Sequence, residues 1–199
     1  TGVARAQAEV AKAAEVMFKY PLVTKQTGEE GQKVSTLLVQ EAADIGREIY
    51  VAMAMEAEVE RSSGAIRVRR VACAHDCGLV INPDALRAQI EGNILQTLSR
   101  TLFEEVAFDR ARVTSVDWAT YPILRFPEAP AIDVVLVERP EEALWGGGEA
   151  STVPVAAALG NALFDATGVR LRRVPFTAER VRAAVAEAAG RKRRRGSLR

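Results

Sequence analysis

The chain has 199 residues, with 27 basic and 26 acidic side chains, a formal net charge of +1 and 48% apolar residues. It contains no apolar run near the roughly 20 residues a membrane-spanning helix needs, and it is too apolar to be disordered throughout. A single domain of this size buries roughly 70% of the surface its unfolded chain exposes, so one domain is expected and two are allowed.

The balanced charge hides an asymmetry. Residues 190–199 read GRKRRRGSLR, a basic end without an acid, and without it residues 1–189 are acidic by about −5. The expected structure of this end is a basic disordered tail. Consecutive cations could also release counterions from a phosphate backbone, but no stacking aromatics are interleaved with them, so nucleic acid is not the expected partner. The first residues, Thr1-Gly2-Val3, carry neither an initiator Met nor a signal pattern. The chain therefore reads as a fragment or a processed subunit, with cytoplasmic and periplasmic locations both open.

In chain order, residues 3–18 are Ala-rich with helical apolar spacing and predict a helix. Residues 21–33 are a polar, Gly-containing connection, and 34–45 lean towards helix. Residues 1–45 form an unassigned helical lead segment. From Ile49 to Val59 the pattern alternates, Arg61-Ser62-Ser63-Gly64 is a turn, and Ala65–Ala74 is rich in Val, Ile and Arg, which together predict a β-hairpin. Pro83-Asp84 opens a long helix, along which Leu86, Ile90, Ile94, Leu98 and Leu102 form a buried ridge. A weaker hairpin is expected from EEVAFD and VTSVDW around DRAR. The run TYPILRFPEAPA is extended or loop because three prolines interrupt it. IDVVLVE is a strand and ALWGGGEA a glycine loop. A helix follows with Ser151 or Thr152 as its N-cap and Gly168 as its stop. LRRVPF predicts a short strand, and TAERVRAAVAEAA a capped amphipathic helix ending at Gly190. Hairpins beside helices predict an α+β fold with a mixed or antiparallel sheet.

Three constellations could carry chemistry. Gly146-Gly147-Gly148-Glu149 lies between a strand and a helix start, where glycines let a ligand approach the backbone and free amides attract anions. It matches neither a dinucleotide fingerprint nor a P-loop. Its one carboxylate, Glu149, is either a functional group or an acid complementing a helix dipole. On the long helix, Gln89, Gly92, Asn93 and Gln96 share one face. Gly92 costs about 1 kcal/mol in a helix interior relative to Ala, a cost tolerated where a ligand or another backbone comes close. The third is Cys73-Ala74-His75-Asp76-Cys77. On an extended strand its cysteines stand roughly 13 Å apart at about 3.3 Å per residue, too far to share a zinc with bonds of about 2.3 Å. Structural thiols are expected.

VRRVACAHDCGLVINPDALRAQIEG, DWATYPILRFPEAPAIDVVLVERP and WGGGEASTVPVAAALGNALFDATGVRLRRVPFTAERV, taken together, resemble the C-terminal part of molybdopterin-binding subunits of the xanthine dehydrogenase/aldehyde oxidase family. The likeness is nearest to the isoquinoline 1-oxidoreductase β-subunit type and covers roughly residues 46–185, making 46–189 a C-terminal molybdopterin-binding-domain fragment. The resemblance implies hydroxylation of a heteroaromatic ring carbon or an aldehyde, with water as oxygen source. It implies a molybdenum–pyranopterin cofactor, in some members the cytosine dinucleotide form, shared with upstream segments outside this chain. Glu149 matches the family's base toward the Mo-bound hydroxyl, Gln89 the glutamine that contacts the pterin, and Gly146, Gly147 and Gly148 the loop that carries the base. No protein metal ligand is implied. Asn93 and Thr97 stand where the family commonly has glycine. The implied partners are a small N-heteroaromatic or aldehyde substrate and a separate iron–sulfur electron-transfer subunit, and the fragment by itself is expected to be inactive. Two other readings stay open: a non-catalytic family remnant acting as a binding module, and a nucleic-acid adaptor using the basic tail.

Overall fold

The computed structural model describes residues 7–21, 23, 30–35 and 49–196, with side chains from 11 to 190 within those ranges. It divides into two units, Thr1–Glu48 and Ile49–Arg199. In the first unit, helix α1 spans Gln7–Lys19, inside the expected helix of residues 3–18 but for one residue at its end. The helix expected from residue 34 falls almost wholly outside the described residues.

The second unit is built on a three-stranded sheet in the order β1-β2-β3. Strands β1 (Tyr50–Val59) and β2 (Ile66–Asp76) form the expected hairpin. Gly64 closes its turn with φ +81, a backbone angle that favours glycine, and a Cβ there would sit 1.9 Å from the Ala178 carbonyl oxygen. The register slips between Glu56 and Ala57, which face Arg70 and Val68, leaving Arg69 as an extra residue. This bulge keeps Val68 and Val71, three residues apart, both buried in the core. Strand β3 (Ala131–Leu136) pairs parallel to β2, so the sheet is mixed.

Helix α2 spans Pro83–Leu102 and starts where the sequence places it, because the Asn82 side chain accepts the Ala85 amide at 3.0 Å. Its ridge of Ile90, Ile94, Leu98 and Leu102 is buried against Val71 and Cys73 of β2 and against helix α3 (Val155–Thr167), which contributes Val155, Leu159 and Leu163. At about 25 cal/mol per Å² of apolar surface, these side chains supply most of the driving force for this layer. Arg87 donates to the Val134 carbonyl at 2.6 Å and ties α2 to β3. Helix α4 (Ala178–Gly196) adds Val181 to the core, and Thr177 Oγ1 accepts the Arg180 amide at its start.

Four expectations are corrected. The weaker hairpin is a single bridge between Phe108 and Val113; both side chains are exposed, so alternation has no core face to fix it. LRRVPF forms no strand: Pro175 has no amide to donate, and Phe176 gives its own to Thr101 at the end of α2. Ser151 and Thr152 do not cap α3. They lie in a 3-10 turn, Ala150–Thr152, and Pro154 precedes the helix without a side-chain cap. Gly168 does stop α3, at φ 72. Finally, α4 does not stop at Gly190 but runs on to Gly196. Gly190 lacks the positive φ of a helix stop, and the Arg and Lys that follow it are good helix formers.

Candidate functional site

The glycine loop is fixed by the C-terminal end of β2. The His75 carbonyl accepts the Val137 amide at 2.9 Å, one step beyond the last β2–β3 pair. Asp76 receives Arg139 at 2.9 Å and the Gly78 amide at 3.1 Å. The Cys77 carbonyl accepts the Trp145 amide at 3.0 Å, at the mouth of the loop. Gly78 has φ +76, and a Cβ on it would lie 2.2 Å from the Ala143 carbonyl oxygen. The 137–145 segment therefore runs along residues 75–78 and delivers Gly146 at a set point. The CAHDCG run serves as this cradle.

Helix α2 grips the loop from the other side. Gly147 lies against α2 so closely that a Cβ would meet Leu86 Cδ1 at 2.4 Å. Asn93, buried one face along the same helix, donates from Nδ2 to the Gly148 carbonyl at 2.8 Å. Leu86 and Asn93 are seven residues apart and share a stripe with Gln89. Gln89 is exposed, on the stripe between two residues that touch the loop. Gly92, Gly146 and Gly148 each face open space, with nothing within 4 Å of a built Cβ.

Beyond the glycines stands Glu149, exposed. It precedes the 3-10 turn with φ −131 and makes no side-chain cap bond to it. Its carbonyl instead is held, by the Thr152 amide at 3.0 Å and the Thr152 hydroxyl at 2.8 Å. Helix α3 begins only at Val155, and a helix dipole acts within its first turn. Glu149 thus occupies the N-cap position of the 3-10 turn through its backbone alone, and with the backbone under it fixed its exposed side chain makes no cap bond.

Behind the loop lies a buried polar pair absent from the sequence reading. Ser151 is fully buried, with its Oγ 3.3 Å from His75 Nδ1. His75 Nε2 is buried with no hydrogen-bond partner and sits 3.6 Å from a Cβ built on Gly147. Burial pushes the imidazole below its ordinary range, against a smaller upward pull from Asp76. Burial likewise raises both thiols, Cys73 against an opposing hydrogen bond from Ser151. Asp76 is held below the ordinary carboxylate range, first by the Gly78 amide and then by Arg139. Cys73 and Cys77 are buried and unbridged. Among the described residues, no three His, Cys, Asp or Glu stand together as metal ligands, and no helix is long and apolar enough to cross a membrane. One signal in the sequence did mark His75. It alternates with Cys73 and Cys77, on the strand face that points inward.

Of the site residues expected from sequence, Gly147, Gly148 and Glu149 stand together with the α2 stripe that carries Gln89. Gln96 is exposed further along α2. Leu86, His75, Asp76 and Ser151 were not singled out as site residues.

Comparison with known proteins gives one family match, the molybdopterin cofactor-binding domain, over residues 5–130. The match starts well upstream of residue 46. The chain is 49% identical over 136 residues to a nicotinate dehydrogenase subunit of Pseudomonas putida, covering 68% of this chain and 12% of that protein. It is 37% identical over 127 residues to the β-subunit of isoquinoline 1-oxidoreductase of Brevundimonas diminuta, covering 64% and 16%. Among solved structures it resembles quinoline 2-oxidoreductase from Pseudomonas putida 86, with a TM-score of 0.60 and 32% identity over 66% of this chain and 18% of that one. The chain spans less than a fifth of each of these proteins.

Proposed function

The chain belongs to the molybdopterin cofactor-binding domain family, and from that premise we propose that it forms one wall of a molybdenum hydroxylase active site, with Glu149 as general base. When bound, the molybdenum–pyranopterin group supplies a two-electron acceptor for oxidation of a heteroaromatic ring carbon or an aldehyde, with water as the oxygen source. The observation that carries the reading is the presentation of Glu149: an exposed residue whose side chain makes no cap bond, on a loop anchored from three sides.

The residues present suit such a group. Gly92, Gly146 and Gly148 leave open the space that side chains would fill, and Gln89 is exposed on α2 three residues before Gly92. Gln89, with both a donor and an acceptor, and the backbone of Gly146, Gly147 and Gly148 hold the cofactor from this side. Segments outside this chain hold the rest of it, including the nucleotide of a cytosine dinucleotide form. Glu149 takes up on a carboxylate oxygen the proton released as oxygen is transferred to the substrate carbon. The names of the relatives point to N-heteroaromatic substrates such as nicotinate, isoquinoline and quinoline. We assign the exit of electrons to a separate iron–sulfur partner.

The test is Glu149→Gln in the complete enzyme. Gln is close in size and leaves the loop's backbone contacts in place, but it cannot accept a proton at neutral pH. Turnover should fall by at least about 10²–10⁴-fold at unchanged molybdenum content. A rate within a few-fold of wild type at equal metal content would instead favour a non-catalytic family remnant.

A further inference from the structure

The buried pair behind the loop has no part in proton transfer, yet it stands where the loop is set. His75 is on the central strand of the sheet, its backbone carbonyl held by Val137 and its ring buried beneath Gly147. Its Nδ1 meets the hydroxyl of Ser151, two residues beyond Glu149. The other ring nitrogen is buried and has no hydrogen-bond partner among the described residues. A strand position facing an apolar core would be filled at lower cost by Val or Leu. A Cβ built on Gly147 would lie 3.6 Å from Nε2, so the ring also backs the loop at the glycine before Gly148. The ring offers the loop its shape and its single bond to Ser151.

We propose that His75 is a positioning residue: through Ser151 it fixes the 146–152 segment to the central strand and so sets where the Glu149 carboxylate stands. The proposal rests on the reading of Glu149 as general base. Asn93 holds the loop before Glu149 at Gly148, and the His75–Ser151 pair holds it after Glu149. The carboxylate is thereby suspended between two anchors on different elements, α2 and β2. Misplacing a reacting group by about 1 Å can cost on the order of 10²-fold in rate, so the second anchor matters for turnover even though it touches no reacting atom.

The experiment uses the full-length, molybdenum-loaded enzyme with four variants, His75→Ala, His75→Asn, Ser151→Ala and Glu149→Gln. An Asn amide places a polar atom close to where Nδ1 stands and omits the unpaired Nε2. His75→Ala and Ser151→Ala should each lower kcat by about 10–100-fold with KM and molybdenum content unchanged, and His75→Asn should recover to within about threefold of wild type. In the cofactor-free full-length protein, amide hydrogen exchange across 146–152 should quicken about tenfold in the two Ala variants, and not in His75→Asn or Glu149→Gln. Wild-type kcat in both Ala variants would overturn the proposal. So would an Asn variant as slow as Ala with loop exchange unchanged, since the ring would then matter only as bulk. If His75→Ala does not fold, Ser151→Ala and His75→Asn decide by the same criteria. If Glu149→Gln keeps its activity, the general-base reading fails, and the exchange measurements still judge whether His75 fixes the loop.

Discussion

His75 is the chain's one histidine, which makes its burial measurable in solution. Its folded form holds the proton less tightly than the unfolded chain does, because burial disfavours the imidazolium. Below an ordinary value near 6.5, the unfolded chain therefore binds more protons. The resulting stability is fully present above that pH and is lost as pH falls through the window down to the depressed folded value. The slope can reach one proton, about 1.4 kcal/mol per pH unit. Denaturant unfolding of wild type and His75→Asn between pH 5 and 7 should show this slope in the wild type only; equal slopes would place the imidazole in solvent. Gly78 makes a second prediction at this scale. Its φ of +76 strains any L side chain, and a Cβ would lie 2.2 Å from a backbone oxygen that cannot swing aside. Gly78→Ala should destabilise by more than about 2 kcal/mol, roughly 1–2 of it from the left-handed angle and the rest from displacing Ala143. The same unfolding experiment reads the loss.

Elements whose signal is self-contained follow the sequence. Helix α2 was legible because Pro83-Asp84 marks its start and its ridge repeats every four residues up to Leu102. The β1–β2 hairpin was legible because the alternation on both strands brackets a turn with Gly64. The segment around Phe108–Val113 has a weaker alternation and its apolar side chains are exposed, so only one bridge forms. The end of α4 misled in the opposite direction: a glycine reads as a stop, yet Gly190 stays in the helix. Beyond it, residues 191–196 extend α4 by less than two turns, past the last core side chain it contributes, Val181, and its half-buried neighbour Val185. Removing residues 191–199 should therefore shift the melting temperature by no more than a few degrees. A larger fall in a thermal melt would show that the basic end contributes to folding.

At the scale of the whole molecule, the loop that carries Glu149 is presented towards space that the described residues of its own unit do not fill. Gly92, Gly146 and Gly148 face that space, and large apolar side chains, Trp118 and Phe126 among them, are exposed elsewhere on the unit. The chain spans 12% and 16% of the two curated relatives named above. In the proposed function this chain supplies one wall, Gln89 and a glycine loop, too few contacts to retain a pterin by itself. The 199-residue chain expressed alone should thus carry well under one molybdenum per chain, whereas the full-length protein with its partner should be loaded. Elemental analysis of the two purified proteins decides it; equal loading would show that this wall suffices.

The sequence by itself determined the α+β class, the long helix, the hairpin and the family. Each of these rests on local periodicity, on caps, or on motifs whose order along the chain is visible. It also singled out Glu149 and Gln89, through a motif likeness that needs no coordinates. Only the tertiary structure decided what Cys73-Ala74-His75-Asp76-Cys77-Gly78 is for. Its carbonyls, the Asp76 carboxylate and the His75 ring meet Trp145, Val137, Arg139 and Ser151, all of them more than 60 residues away. Contacts at that separation leave no periodic trace, because nothing in the local pattern fixes which distant backbone will fold over the end of β2. The same holds for Ser151, which local rules make a helix cap. In the fold its hydroxyl is buried against the His75 ring instead.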